Sequence, residues 1–220
     1  MMPENLHRLS FLNNQYTQFT AQITISICMN TYLDGKLLVA PPKMVDWRFA
    51  RSVVYVWKHD VSGAGGIIVN KKLQAPSFQR ICHEGDINRL KSVNPPIFYG
   101  GPIMPSVVGC LHSLDYKLPT TNITPHEVGF TLDKRIIQDI AMNKGPSRFL
   151  VTVGVSSWNA GQLDDEIKSL PPRQKTGSWL HLEHNDTDIF DSNTETLWNE
   201  CVGQCVVNAT KKITNKVFKD

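Results

Sequence analysis

Short apolar runs that end at glycine, proline or polar residues recur through residues 36–182 and predict a chain built largely of β-strands. The run Val53-Val54-Tyr55-Val56-Trp57 is rich in β-branched and aromatic residues, which favour strands. A turn at 59–63 that contains glycine separates this run from a second one at 66–70, and that spacing indicates a β-hairpin. Further strands are expected at 36–40, 97–99, 107–112, 127–131, 149–155 and 179–182.

Helical spacing of apolar positions is clearest over 132–143. Its stripe consists of Leu132, Ile136, Ile137, Ile140 and Ala141, and Lys144-Gly145-Pro146 ends it. Other helices are expected at 76–83, 161–170 and 194–207. Because strands and helices are mixed and hairpins dominate, the predicted class is α+β, a single domain around a curved or barrel-like sheet.

The two ends of the chain differ from its centre. Residues 1–34 are rich in Asn, Gln and Thr without clear periodicity, so they are expected to be a poorly ordered N-terminal extension. An alternative is that translation begins at Met29, just before the first strong strand. Residues 35–208 form the predicted domain, and 209–220 form a basic C-terminal tail, which contains Lys211, Lys212, Lys216 and Lys219.

The composition is that of a globular protein without a nucleic-acid signature. The 220 residues carry a formal net charge of +3, and no apolar run approaches the ~20 residues needed to cross a bilayer. The five cysteines are odd in number and lack framework spacing, which favours free thiols in a reducing compartment. We therefore expect a cytoplasmic protein.

Neither a cofactor nor a metal is expected from the residue spacing. Cys201 and Cys205 lie one helical turn apart, but no Cys-x-x-Cys or nearby histidine pair completes a zinc site. The pair His181-x-x-His184 is more typical of an exposed surface. No serine elbow, catalytic base or carboxylate pair is identifiable by spacing, so catalytic residues stay unknown.

Three predicted strand ends carry glycine. The blocks are Gly63-Ala64-Gly65-Gly66, Gly100-Gly101-Pro102 and the segment 157–163. Glycine inside or beside strands often marks a close approach of two backbones, so the three ends are expected to converge on each other or on a ligand. A nest of backbone amides there would bind an anion, whereas the alternative is a tight hairpin with close strand packing.

Polar residues beside these glycines form the candidate ligand site. Arg51 and Ser52 enter one strand of the hairpin, and Asn70 and Lys71 end the other, so together they would hold an acidic ligand through charge-assisted hydrogen bonds. The alternative is that Asn70 satisfies turn backbone while Lys71 is solvated. The full candidate set is Arg51, Ser52, Gly65, Gly66, Asn70, Lys71, Gly100, Gly101, Trp158 and Gln162.

Residues 35–208 resemble the bacterial YqgE/AlgH family in the order and spacing of many motifs. These include Leu38-Val39-Ala40-Pro41, Phe49-Ala50-Arg51-Ser52-Val53, the segment 63–71, Gly100-Gly101-Pro102, the segment 158–167, Gly177-Ser178-Trp179-Leu180, Asp188-Ile189-Phe190-Asp191 and Leu197-Trp198. The resemblance implies a compact fold with a partly open β-barrel and carries a transcriptional-regulator label without a defined activity. Gly65 and Lys72 depart from the family pattern, and 171–176 lengthens the link before Gly177.

Three functions follow as alternatives. The leading hypothesis is a non-enzymatic binding or regulatory protein that takes a small anionic ligand, or a protein partner, and affects transcription indirectly. The second is an enzyme of unknown reaction that uses the same glycine-lined cleft. The third is a direct DNA-binding regulator, although neither of the helices at 132–143 and 194–207 shows a row of arginine or lysine.

Overall fold

The computed structural model describes residues 32–168, 179–183 and 189–217, and within them it contains nine strands and four helices. The strands are β1 (Leu37–Val39), β2 (Val53–Asp60), β3 (Gly63–Ile68), β4 (Ile97–Tyr99), β5 (Ile103–Ser113), β6 (Asn122–Ile123), β7 (Val128–Thr131), β8 (Phe149–Asn159) and β9 (Leu180–Leu182). The helices are α1 (Phe78–Glu84), α2 (Lys134–Ala141), α3 (Gln162–Lys168) and α4 (Leu197–Val217).

All nine strands belong to one mixed sheet. Its order is β6-β7-β5-β8-β3-β2-β1-β9, in which every neighbouring pair is antiparallel, and β4 adds to β8 in parallel. The described residues from Leu33 onward form one compact unit. The α+β class and the single domain are therefore confirmed.

The sheet curls until β2 meets the strands at its far end. The Tyr55 hydroxyl on β2 lies 2.6 Å from the Thr124 hydroxyl just beyond β6, and burial raises the pKa of Tyr55 to about 12. The Trp57 ring stacks on Phe130 of β7 at a centroid distance of 4.8 Å. Because β1 and β9 continue past β2, the sheet forms a curved barrel that does not close, as predicted.

Several element boundaries differ from the prediction. β3 is Gly63–Ile68 instead of the predicted 66–70, so Gly63 lies inside the strand and not in the turn before it. The short strand β6 was not predicted, and α4 runs to Val217, ten residues past its expected end. The predictions for residues 1–31 and for the link 171–178 lie outside the described residues.

The glycines of β3 are explained by its two neighbours. A Cβ on Gly66 would lie 2.6 Å from Val54 of β2 and 3.2 Å from the Trp158 ring of β8, and a Cβ on Gly65 would overlap the Trp57 ring. A real Cβ does not tolerate such distances. The glycines therefore let large side chains of β2 and β8 cover this strand, as expected for a close approach.

Candidate functional site: two cavities that share an arginine

The loop between β1 and β2 is a sequence of tight turns, and it separates two cavities. The Phe49 amide donates to the Asp46 carbonyl at 3.0 Å, and the Arg48 amide donates to the Asp46 carboxylate at 3.0 Å. The Arg48 side chain returns to the same carboxylate with distances of 2.7 to 3.2 Å. Arg48 lines both cavities.

The first cavity, called here the basic cavity, measures about 730 Å³. The residues that characterise it are Trp47, Arg48, Lys71, Lys72, Tyr99 and the turn 193–195. Glu195 supplies the one acidic side chain of its described lining, against three cationic ones. An anion is the ligand that this balance of charge favours.

Lys71 is the half-buried cation of the basic cavity. Its ammonium donates to the Arg48 carbonyl at 2.9 Å, which fixes the end of the side chain. Burial lowers the pKa of Lys71, although the nearby Asp46 carboxylate works in the opposite direction. A partly desolvated ammonium gains more from an anionic partner than a fully hydrated one does, because less water must be displaced.

Arg48 contributes less free charge than Lys71 because of its ion pair. The hydrogen bond from Arg48 holds the pKa of Asp46 below its ordinary value, so that carboxylate stays ionised and neutralises the guanidinium. Lys71 and Lys72 make no ion pair with another described residue. These two lysines are the cations that remain available to a ligand.

The start of α4 forms another part of the wall. The Asn193 carbonyl accepts from the Leu197 amide at 2.9 Å, and the Asn193 side chain accepts from the Glu195 amide at 3.0 Å. Asn193 therefore holds the turn that leads into α4, and Thr194 and Glu195 lie in that turn. The positive end of the helix dipole lies at this turn and adds to the attraction for an anion.

The second cavity, called here the acidic cavity, measures about 500 Å³ and is characterised by Asp46, Arg48, Phe49, Trp158, Glu166 and Trp179. The Glu166 carboxylate accepts from the indole nitrogens of Trp158 at 2.9 Å and Trp179 at 3.1 Å, and from the Gln162 amide at 3.0 Å. Phe49 packs against both indoles, with centroid distances of 6.3 and 5.4 Å. The carboxylate is thus a structural acceptor that ties α3 to the sheet and to β9.

The ten predicted site residues are not brought together around one cavity. Asn70 and Lys71 line the basic cavity, whereas Trp158 and Gln162 line the acidic one. Gly65 and Trp158 also border a third cavity of about 300 Å³. The other predicted residues, Arg51, Ser52, Gly66, Gly100 and Gly101, are absent from the linings of these cavities.

Asn70 has the structural role that the sequence offered as its alternative. Its carbonyl oxygen accepts from the Val53 amide at 2.8 Å, and its amide nitrogen donates to the Arg51 carbonyl at 2.9 Å. These bonds hold the Arg51 backbone at a φ of 54°. The Arg51 guanidinium lies 5.5 Å from the centre of the Trp198 ring. Ser52 is fully buried, and its hydroxyl has no hydrogen-bond partner among the described residues.

Gly100 and Gly101 mark the place where three strands meet. The Gly100 carbonyl accepts from the Ile68 amide at 2.9 Å and from the Ser156 hydroxyl at 3.2 Å. A Cβ on Gly100 would collide with the Gly154 carbonyl, and one on Gly101 with the backbone of β8. The glycine-bearing strand ends therefore converge on each other, which was one of the two expected outcomes.

The sequence reasoning missed Trp47, Arg48, Lys72, Tyr99 and Glu195. The sequence did contain one signal for these residues, namely their positions at strand ends. Trp47-Arg48 lies in the turn-rich link between two predicted strands, and Lys71-Lys72 directly follows a third predicted strand. The presence of Glu195 in the cavity could not be predicted from neighbouring residues in the sequence, because it depends on where α4 packs relative to β3.

A model of the AlgH-like family matches residues 37–210. The chain belongs to this family. A UPF0301 protein of Bartonella tribocorum is 34% identical over 188 residues, which cover 82% of this chain and 93% of that protein. A relative from Bartonella quintana is 33% identical over 186 residues, covering 81% and 92%.

Two solved structures show the AlgH-like fold. The AlgH protein of Pseudomonas aeruginosa superposes with a TM-score of 0.64 at 24% identity, covering 79% of this chain and 89% of that one. A protein of Corynebacterium diphtheriae gives 0.51 at 21% identity, covering 73% and 85%. Both identities are low, so these similarities concern the fold alone. The resemblance inferred from the sequence motifs is confirmed.

Membrane-spanning helices and metal clusters are both absent from the described residues of this AlgH-like chain. None of its described helices is both long and apolar enough to span a membrane. Across the described ranges, no three histidine, cysteine or acidic side chains gather in a way that could hold a metal ion.

Proposed function

We propose that this AlgH-like protein is a non-enzymatic binding protein that takes a small anionic ligand in the basic cavity. The observation that carries the proposal is Lys71, a half-buried ammonium fixed by the Arg48 carbonyl beside the free cation of Lys72. The turn 193–195 leads into α4, so the positive end of that helix dipole lies on the same side. A phosphate or carboxylate group placed among these three features would make charge-assisted hydrogen bonds.

The charges favour the basic cavity over the acidic cavity for this role. Glu166 and Asp46 give the acidic cavity a net negative lining, which would repel an anion. At Gly100 and Gly101 the strand ends are filled by the backbone of β8, and the cavity of about 300 Å³ beside Gly65 is the smallest of the three and has Lys58 as the one charged side chain of its described lining. An effect on transcription would then be indirect, through the occupancy of the basic cavity or a partner that senses it.

Calorimetric titration of the full chain with pyrophosphate tests the proposal. We expect saturable binding that weakens between 50 and 200 mM salt, because a charged site is screened, and an affinity at least about tenfold lower in the double variant Lys71→Met/Lys72→Met. The double variant Lys91→Met/Lys144→Met removes the same charge from two exposed lysines outside the cavity and serves as the control. Absent binding, or equal loss in both double variants, would overturn the proposal.

The enzyme alternative is not favoured by a specific feature of the described residues. The groups whose pKa values depart most from their ordinary range are Tyr55, Asp60, Cys110, Tyr116 and Asp133, and none of them borders the basic or the acidic cavity. Their shifts arise from burial or from local hydrogen bonds. Smaller pKa shifts occur at Asp46, Lys71 and Tyr99, which border these cavities, and they arise from the Arg48 hydrogen bond or from burial.

A further inference from the structure

Trp47 differs from the other four tryptophans of the chain. Its side chain is 81% exposed, whereas Trp158 and Trp179 are 5% and 4% exposed. Trp57 stacks on Phe130, and Trp198 donates its indole N–H to the Ala40 carbonyl at 2.8 Å. Each of these four indoles thus packs against or bonds the fold, while Trp47 presents its ring at the wall of the basic cavity.

The backbone of Trp47 is held on both sides, so the exposed ring stands on a fixed support. The Trp47 carbonyl accepts from the Ala50 amide at 3.3 Å, and the residues on either side of it are joined by the bond from the Arg48 amide to the Asp46 carboxylate. The loop that carries the exposed indole is therefore already ordered by the fold. A ligand ring that stacks on this indole does not have to order the loop backbone.

Tyr99 brings a second aromatic ring to the same cavity. Its amide donates to the Lys71 carbonyl at 2.8 Å, which places the end of β4 directly beside the lysine. Its phenol makes no hydrogen bond with another described residue, and burial raises its pKa, so the hydroxyl is protonated and able to donate. The cavity therefore combines two aromatic rings with two available ammonium groups.

We infer that the anion bound in the basic cavity is carried by a planar aromatic ring, and that the ligand is a nucleotide. The base would stack on Trp47 while the phosphate would lie between Lys71, Lys72 and the turn 193–195 that leads into α4. The volume of about 730 Å³ falls within the range of small-molecule sites. Isolated exposed tryptophans are ordinary on protein surfaces; a tryptophan that shares a cavity with three cations has the composition of a base-and-phosphate site. This inference rests on the proposed function.

Titration of the full chain with AMP, adenosine and inorganic phosphate tests the inference. We expect AMP to bind at least about tenfold more tightly than phosphate, and Trp47→Ala to remove that advantage while the affinity for phosphate stays unchanged. Trp47→Phe retains a ring and is expected to keep most of the advantage. Val45→Ala, an exposed position in the same loop, is the matched control.

A spectroscopic readout separates stacking from simple charge attraction. The indole N–H resonance that disappears in Trp47→Ala is expected to shift on addition of AMP and to remain in place on addition of phosphate. If AMP binds no better than phosphate, or Trp47→Ala binds AMP as the wild type does, the nucleotide inference is overturned while the anion site stands. If neither AMP nor phosphate binds, the proposed function and the inference both fall.

Discussion

The basic and acidic cavities share Arg48 but use their charged groups in opposite ways. In the acidic cavity, the Glu166 carboxylate accepts hydrogen bonds from Trp158, Trp179 and Gln162. Its charge is therefore stabilised by groups of the protein itself. In the basic cavity, Lys71 and Lys72 form no ion pair with a described residue, and the Asp46 carboxylate that attracts Lys71 is itself paired with Arg48. A charge that the fold has satisfied stabilises the structure, and one that it has left without a counter-charge is available to a ligand.

The largest test concerns the packing behind the acidic cavity. Gly66→Val is expected to lower the free energy of unfolding by at least about 3 kcal/mol, because its side chain would collide with Val54 and press on Trp158. Urea denaturation measures the change. Gly203→Ala, at an exposed helical glycine with open space around it, is the control and is expected to stabilise by up to about 1 kcal/mol. Wild-type stability in Gly66→Val would contradict the close-packing explanation.

The next test asks whether Glu166 belongs to the fold alone. Glu166→Gln is expected to lower the free energy of unfolding by about 2 kcal/mol, because its amide cannot accept all three hydrogen bonds and loses the charge that strengthens them. The affinity for pyrophosphate should stay within about twofold of the wild type, since this carboxylate does not line the basic cavity. A large change in affinity with unchanged stability would reverse the roles assigned to the two cavities.

The role of Lys71 in the basic cavity can be tested by measuring anion affinity at different pH values. Lys71 has a lowered pKa, so raising the pH neutralises it before it neutralises an exposed lysine, and anion affinity is lost in that interval. Calorimetry from neutral to alkaline pH should show this fall for the wild type. Lys71→Arg keeps its charge over this interval and should show a smaller fall. Equal profiles for the two proteins would remove Lys71 from the binding site.

The lowered pKa of Lys71 also affects the stability of the folded protein. Because the folded-state pKa of Lys71 lies below its unfolded value, charging Lys71 disfavours the folded state at neutral pH. This cost is fully present below the folded pKa and disappears as the pH rises through the unfolded pKa. A bound anion offsets it, so pyrophosphate should raise the melting temperature at pH 7.5 more than at pH 10.

The smallest expected effect comes from the one acidic side chain of the basic cavity. Glu195→Gln removes a negative charge near the ligand, so the affinity for pyrophosphate should rise about threefold at low salt. Stability should fall by about 0.5 kcal/mol at most, because an acidic residue just before α4 interacts favourably with the positive end of the helix dipole. Unlike Glu166→Gln, this variant is expected to change anion affinity more than stability. A large loss of stability with unchanged affinity would contradict the roles assigned to the two cavities.

Local patterns were sufficient for much of the fold. The hairpin of β2 and β3, the central strand β8 and helix α2 were all predicted, because each has a periodicity or an end signal within its own residues. The β6 strand was missed, since its two residues have no pattern of their own and pair only because β7 lies beside them. Gly63 was assigned to the turn although β3 begins there, because its pairing with Asn159 of β8 was not visible locally.

The sequence by itself determined the family, the α+β class and the convergence of glycine-bearing strands, because these depend on ordered motifs and on the backbone requirements of particular residues. Only the tertiary structure decided which charges are satisfied. Lys71, Tyr99 and Glu195 come from three elements far apart in the chain, and the folded sheet and α4 bring them to one cavity. From the sequence alone, Glu166 is expected to be an exposed acidic residue of a helix. In the structure, the indoles of Trp158 and Trp179 both donate hydrogen bonds to it. A side chain's charge is local to the sequence, but its solvation and partners are set by the fold.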